Sequence, residues 1–147
     1  FPYPVALGPS AYMLEGVTWF RMARHYKTRF VNEVWRTWYV GHYSVSSQAA
    51  RDRTDYRRIA PTQAIVHGQQ INEFSDLFFV LPGFIWMSAA HYARFAFHAG
   101  YSLHRQWREI GNLRGRLIWL SALPFGAVAW IRDQFVLLRR KRAGILK

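Results

Sequence analysis

The chain has 147 residues and a net charge of +12, from 20 Lys and Arg against 8 Asp and Glu, yet it is 51% hydrophobic and 18% aromatic. That combination excludes plain disorder, which needs charge with little apolar content, and the length fits one domain or one component of a larger assembly. Cysteine is absent, which excludes disulfides, thiolate metal sites and a cysteine nucleophile.

The first ten residues, FPYPVALGPS, hold prolines at 2, 4 and 9 and predict an extended arm, because each proline fixes φ and lacks an amide donor. The chain opens on Phe1 without an initiator Met, and removal of a targeting segment is the expected cause. Residues 11–40 predict an amphipathic helix capped by Ser10. Projected at about 100° per residue, Trp19, Met22, Ala23, Tyr26, Phe30, Val34 and Trp38 gather on one face, and Arg24, His25, Thr28, Arg29, Asn32 and Arg36 on the other. Residues 41–76 read as a connector with short helices. Pro61 disfavours helix at Ala60, a short helix ends near Gly68, and Ser75 or Asp76 caps the next apolar helix.

Two apolar segments come next, 77–98 and 117–138, each 22 residues long. A helix of that length covers about 33 Å against a hydrocarbon thickness of about 30 Å. Each contains a proline near a glycine, Pro82 with Gly83 and Pro124 with Gly126, which a membrane helix tolerates. The expected architecture is therefore all-α, with a two-helix membrane hairpin over 77–138, both termini on one side, and a basic tail over 139–147. The competing reading is that both runs are core helices of a water-soluble protein. The uncharged stretches are only 14 or 15 residues long, and the mean hydropathy is −0.12.

The charge is banded, and the cations lie beside the apolar segments. Basic groups at that depth attract anionic lipid phosphates. Candidate lipid-binding residues are thus Arg105, Trp107, Arg108, Arg114 and Arg116 in the loop, and Arg139, Arg140, Lys141 and Arg142 in the tail. Arg94, Arg132 and Asp133 are charges inside the apolar segments and candidates for special roles. With few acids in the chain, the partner of Arg94 is expected from another subunit or a lipid. The six histidines form no compact metal-ligand pattern, Asp52 and Asp55 lie among arginines, and no phosphate loop or nucleophile elbow is present. No catalytic or metal-binding residue is assigned, and no cofactor is expected besides bound cardiolipin or another anionic phospholipid.

Together, the proline-rich arm, the Arg-rich aromatic helix and two short apolar segments with basic flanks resemble a small accessory subunit of a mitochondrial inner-membrane complex. The likeness in type is greatest to lineage-specific membrane-region subunits of protist ATP synthases, then to supernumerary subunits of respiratory-chain complexes. It implies a non-enzymatic scaffold in oxidative phosphorylation, located in the mitochondrial inner membrane, with other subunits and membrane lipids as partners. The alternative is a mitochondrial ribosomal protein whose arginines neutralise rRNA phosphates. Only that reading brings in nucleic acid.

Overall fold

The computed structural model describes residues 22, 24–27 and 56–142. The expected arm and most of the 11–40 helix lie outside the described residues, as do the end of the tail and Asp52 and Asp55. Within 22–27, Met22, Arg24 and His25 are helical. The rest consists of α1 (Tyr56–Phe74), a 3₁₀ turn at Ser75–Leu77, α2 (Pro82–His98), α3 (Leu103–Glu109) and α4 (Leu113–Arg142). The described residues are all-helical, as expected.

Half of the expected connector is the continuous helix α1, which runs through both Pro61 and Gly68. Pro61 forfeits one intrahelical hydrogen bond. Ala60, Ala64 and Ile71 recur at helical spacing on one buried face, and their burial against α2 holds the helix together. The missing side chain at Gly68 leaves room for the ring of Tyr92, which stands 3.1 Å from where a Cβ would be.

The first expected membrane segment is not one helix. Residues 77–81 turn, and α2 begins with Pro82 in its first turn and Leu81 at the N-cap without a side-chain cap. Pro82 therefore starts a helix, where its missing N–H costs nothing, and Ser75 and Asp76 do not cap it. The 17 residues of α2 cover about 26 Å, less than the expected 33 Å. α2 closes on Gly100, with φ +75. There Tyr101 N–H reaches the Ala96 carbonyl at 2.8 Å and Gly100 N–H reaches the Phe97 carbonyl at 3.1 Å, the paired bonds that end a helix on a left-handed residue. Ser102 caps α3 by accepting from Arg105 N–H, and Asn112 Oδ1 accepts from Gly115 N–H in the first turn of α4.

The hairpin expectation fails on direction. α1 and α2 are antiparallel, since Gln70 meets Ser88, Gly68 meets Tyr92, and His67 meets Phe95. Between α2 and α4, Trp86 meets Phe125, Ala90 and Ala93 meet Gly126, and Arg94 and His98 meet Asp133. The contacts advance in the same sense along both helices, so α2 and α4 are parallel. Residues 99–112 return the chain between them, and α3 lies against Tyr92 on the way, with Tyr92 Oη 3.0 Å from Glu109 Oε2. Nor is any helix among the described residues long and apolar enough to cross a membrane. In α4, Arg114 and Arg116 precede the apolar run and Arg132 and Asp133 interrupt it.

Candidate functional site

The interface of α2 with α4 is closest where small residues meet at Gly126, between the ring pairs Trp86–Phe125 and Phe97–Trp130. Ala89, Ala90, Ala93 and Ala96 of α2 and Ala122 of α4 are buried. At Gly126 a Cβ would stand 2.6 Å from both the Ala90 carbonyl oxygen and the Ala93 Cβ. With no side chain between them, the two backbones approach closely.

Where the helices run on from that contact, the sequence supplies an ion pair. Arg94 Nε donates to Asp133 Oδ2 at 2.6 Å and Arg94 Nη2 to Oδ1 at 2.9 Å, a two-point fork. His98 Nε2 lies 3.0 Å from Asp133 Oδ2, and His98 Nδ1 lies 3.5 Å from Gln134 Nε2. This geometry suits a neutral imidazole that donates from Nε2 and faces the amide with Nδ1. The Asp133 carboxylate is buried, with its side chain 2% exposed. The acid that Arg94 was expected to find in another subunit or a lipid is thus in the same chain, 39 residues on. Sequence spacing could not reveal it, because the pairing depends on two helices running in parallel. Arg132, the neighbour of Asp133, is exposed and takes no part.

The predicted lipid-binding residues divide into two groups. Arg105 and Arg116 are engaged by the protein itself. Arg105 bonds Glu109 Oε1 at 2.8 Å and lies over the Tyr101 ring. The bond to Glu109 also raises the Arg105 pKa. Arg116 Nε donates to the Ile110 carbonyl, and its guanidinium covers Trp107, which packs edge-on against Trp119. Arg108, Arg114, Arg139, Lys141 and Arg142 are exposed. The side chain of Arg140 lies outside the description.

Sequence reasoning missed two polar clasps. Asn72 and Asn112 tie the end of α1 to the start of α4: Asn72 Oδ1 accepts from Gly111 N–H, and Asn112 Oδ1 accepts from the Ser75 hydroxyl. Between α1 and α2, His67 Nδ1 and Ser88 Oγ both reach Gln70 Oε1, at 2.9 and 3.0 Å. His67 stacks on His91, and burial is the main force that lowers its pKa to about 4. Among the described residues no group of three or more His, Asp or Glu could hold a metal ion.

The outer face of α4 is the largest feature that the segment-by-segment reading overlooked. With Leu113 at zero and about 100° per residue, Leu113, Leu117, Leu120, Pro124, Val128, Ile131, Phe135 and Leu138 fall within an arc of about 80°. All are exposed, Val128 by 66% and Phe135 by 61%. The buried residues Gly115, Ile118, Trp119, Ala122, Gly126 and Asp133 lie on the opposite side of the helix. The stripe is about 38 Å long. Arg114, Arg132 and Arg139 line one flank, about 80–100° from Leu113. Beside it, Phe79, Val80, Leu81, Phe84 and Met87 are exposed around the start of α2, and Trp86 joins them to α4 through Phe125, ring to ring at 4.9 Å. The signal was present in the sequence as the repeated spacing of three and four residues. Comparison with protein-family models, with curated proteins and with solved structures finds no match to this chain.

Proposed function

We propose that this protein is a non-catalytic structural subunit of a mitochondrial inner-membrane energy-transducing complex, in which it braces neighbouring subunits and holds anionic phospholipid. Its type of sequence puts the membrane region of ATP synthase first among such complexes and the respiratory chain second. The observation that carries the reading is the outer face of α4. A helix that buries one face in its own protein and keeps large apolar side chains along the opposite face has non-aqueous surroundings on both sides. At about 25 cal/mol per Å² of apolar surface, leaving such a stripe in water is costly, and a bilayer or an apolar neighbour removes that cost. The exposed cations Arg108, Arg114, Arg139, Lys141 and Arg142 suit the phosphates that border hydrocarbon.

The direct test is purification of the native assembly in mild detergent, followed by subunit mass spectrometry. The expected outcome is a fixed stoichiometry with the subunits of an inner-membrane complex, together with retained anionic lipid that is reduced by Arg108→Ala with Arg114→Ala. Recovery with ribosomal subunits and rRNA would overturn the reading.

A further inference from the structure

The apolar stripe runs along α4 from Leu113 to Leu138, and its cations lie beside it as well as at its ends. A crossing helix needs apolar side chains around its whole lipid-facing circumference through the hydrocarbon, with cations gathered at its two ends. α4 has another pattern. Arg132 lies within the length of the stripe, on the same flank as Arg114 and Arg139. The reverse side holds buried Asp133 with Arg94 and His98. An apolar face that runs parallel to the helix axis, with arginines spaced along its length rather than gathered at its ends, is the pattern of a helix lying in the interface, with its apolar side sunk about 5–10 Å below the headgroups.

We propose that α4 lies in the plane of an anionic bilayer leaflet, with the Leu113–Leu138 stripe at the acyl boundary and Arg114, Arg132 and Arg139 at the lipid phosphates. This deepens the reading above and rests on its membrane address. Charge complementarity selects the occupant. In α4 the only acidic residue is Asp133, which is buried against Arg94, so a second copy of the helix brings cations and no exposed carboxylate to those arginines. An anionic leaflet brings phosphates at the right depth. The in-plane orientation also keeps the Arg94–Asp133–His98 cluster on the far side of the helix, about 10 Å from the lipid. Phe84, Met87 and Phe125 broaden the seat at the middle of α4.

The test uses the purified full chain and vesicles of phosphatidylcholine, with or without one-fifth cardiolipin. Partitioning is expected to be on the order of 10- to 100-fold stronger with cardiolipin and to weaken with salt. Arg114→Gln, Arg132→Gln and Arg139→Gln combined should abolish most of that preference while helix content by circular dichroism stays unchanged. Orientation is read by depth. The native chain has no cysteine, so single replacements Leu113→Cys, Leu120→Cys, Val128→Cys and Phe135→Cys each carry one spin label. In-plane seating gives all four labels the same shallow depth, about 5–10 Å below the phosphates. Labels at 120 and 128 lying about 10 Å deeper than those at 113 and 135 would overturn the in-plane seating while leaving the membrane address intact. Equal binding to both vesicle types would overturn the anionic seat. Labels that all contact a protein chain in the native assembly would show that a partner occupies the stripe, and recovery of that assembly from ribosomes would remove the membrane address itself.

Discussion

The two faces of α4 invert the usual arrangement of a surface helix. Its inner face carries Gly115, Ala122, Gly126 and Asp133, while its outer face carries leucine, valine, isoleucine and phenylalanine. The inner face works through closeness: small residues bring two backbones together, and one carboxylate fixes their register against Arg94 and His98. The outer face has apolar bulk and no neighbour among the described residues. Hydropathy summed along a segment cannot tell these faces apart, and it merges them into one span. The lesson is that the bulky residues of the outer stripe turn away from the fold, whereas Gly126, Ala122 and Asp133, together with Ile118 and Trp119, serve it.

If the inner face is the structural one, its carboxylate is the most sensitive position. Asp133→Ala takes the carboxylate from the partly buried Arg94 guanidinium, whose side chain is 13% exposed, and is expected to cost about 2–4 kcal/mol, read as a fall in the thermal midpoint. Arg94→Met combined with Asp133→Leu should recover part of that loss, because an apolar pair of similar size avoids desolvating either charge, while the buried His98 Nε2 loses its acceptor. A loss in Asp133→Ala that the double variant does not recover would break the comparison by assigning Asp133 a role beyond pairing.

Next in size is an acid limb set by α1 and α2. His67 is held neutral, with its pKa lowered from 6.5 to about 4 by burial first, while the Gln70 hydrogen bond opposes and nearby His91 adds. The unfolded chain therefore binds a proton at higher pH than the folded one. The stabilisation is complete above pH 6.5 and is lost as pH falls from 6.5 through 4. It amounts to about 3 kcal/mol, at roughly 1.4 kcal/mol for each pH unit that separates the folded and unfolded titrations. His67→Leu should flatten this limb in a pH series of chemical denaturation, and an unaltered limb would move the titration to another group.

How much of the molecule was legible in its sequence depends on how local each feature is. The helical class was readable because apolar spacing is a local property. Pro61 and Pro82 misled in opposite ways: one sits inside a helix that tertiary packing holds together, and the other begins the helix it was expected to interrupt. The pairing of Arg94 with Asp133 was not legible, because it requires the parallel course of α2 and α4, which is set by the return of residues 99–112 along Tyr92. The outer stripe was legible in principle, since its eight members share the helical period. Attention to uncharged run length concealed it.

A smaller effect separates two glycines. Gly126→Ala forces a methyl group into the Ala90 backbone and Ala93 and should cost about 1–3 kcal/mol by overpacking. Gly83 lies in the first turn of α2 with nothing within 4 Å of an added Cβ. There Gly83→Ala should be neutral or stabilising by about 0.5–1 kcal/mol, since alanine restricts the unfolded chain more. Equal losses at both positions would show that close backbone approach is not what distinguishes the inner face.

The smallest expected effect is the sharpest test of the outer face. Leu120 is large, apolar and 52% exposed, close in sequence to buried Ala122 and Trp119 but directed away from them. If its side chain serves only the surroundings, Leu120→Gln should change the stability of the isolated chain by no more than about 0.5 kcal/mol, as at other exposed positions free of special contacts. Ile131→Gln should behave the same way. If the stripe sits at the acyl boundary as proposed, both variants should nevertheless bind cardiolipin-containing vesicles more weakly, because each would place an amide there. A loss of more than about 2 kcal/mol in the isolated chain would mean that the stripe is part of the fold's own core, and the separation between the two faces of α4 would then fail.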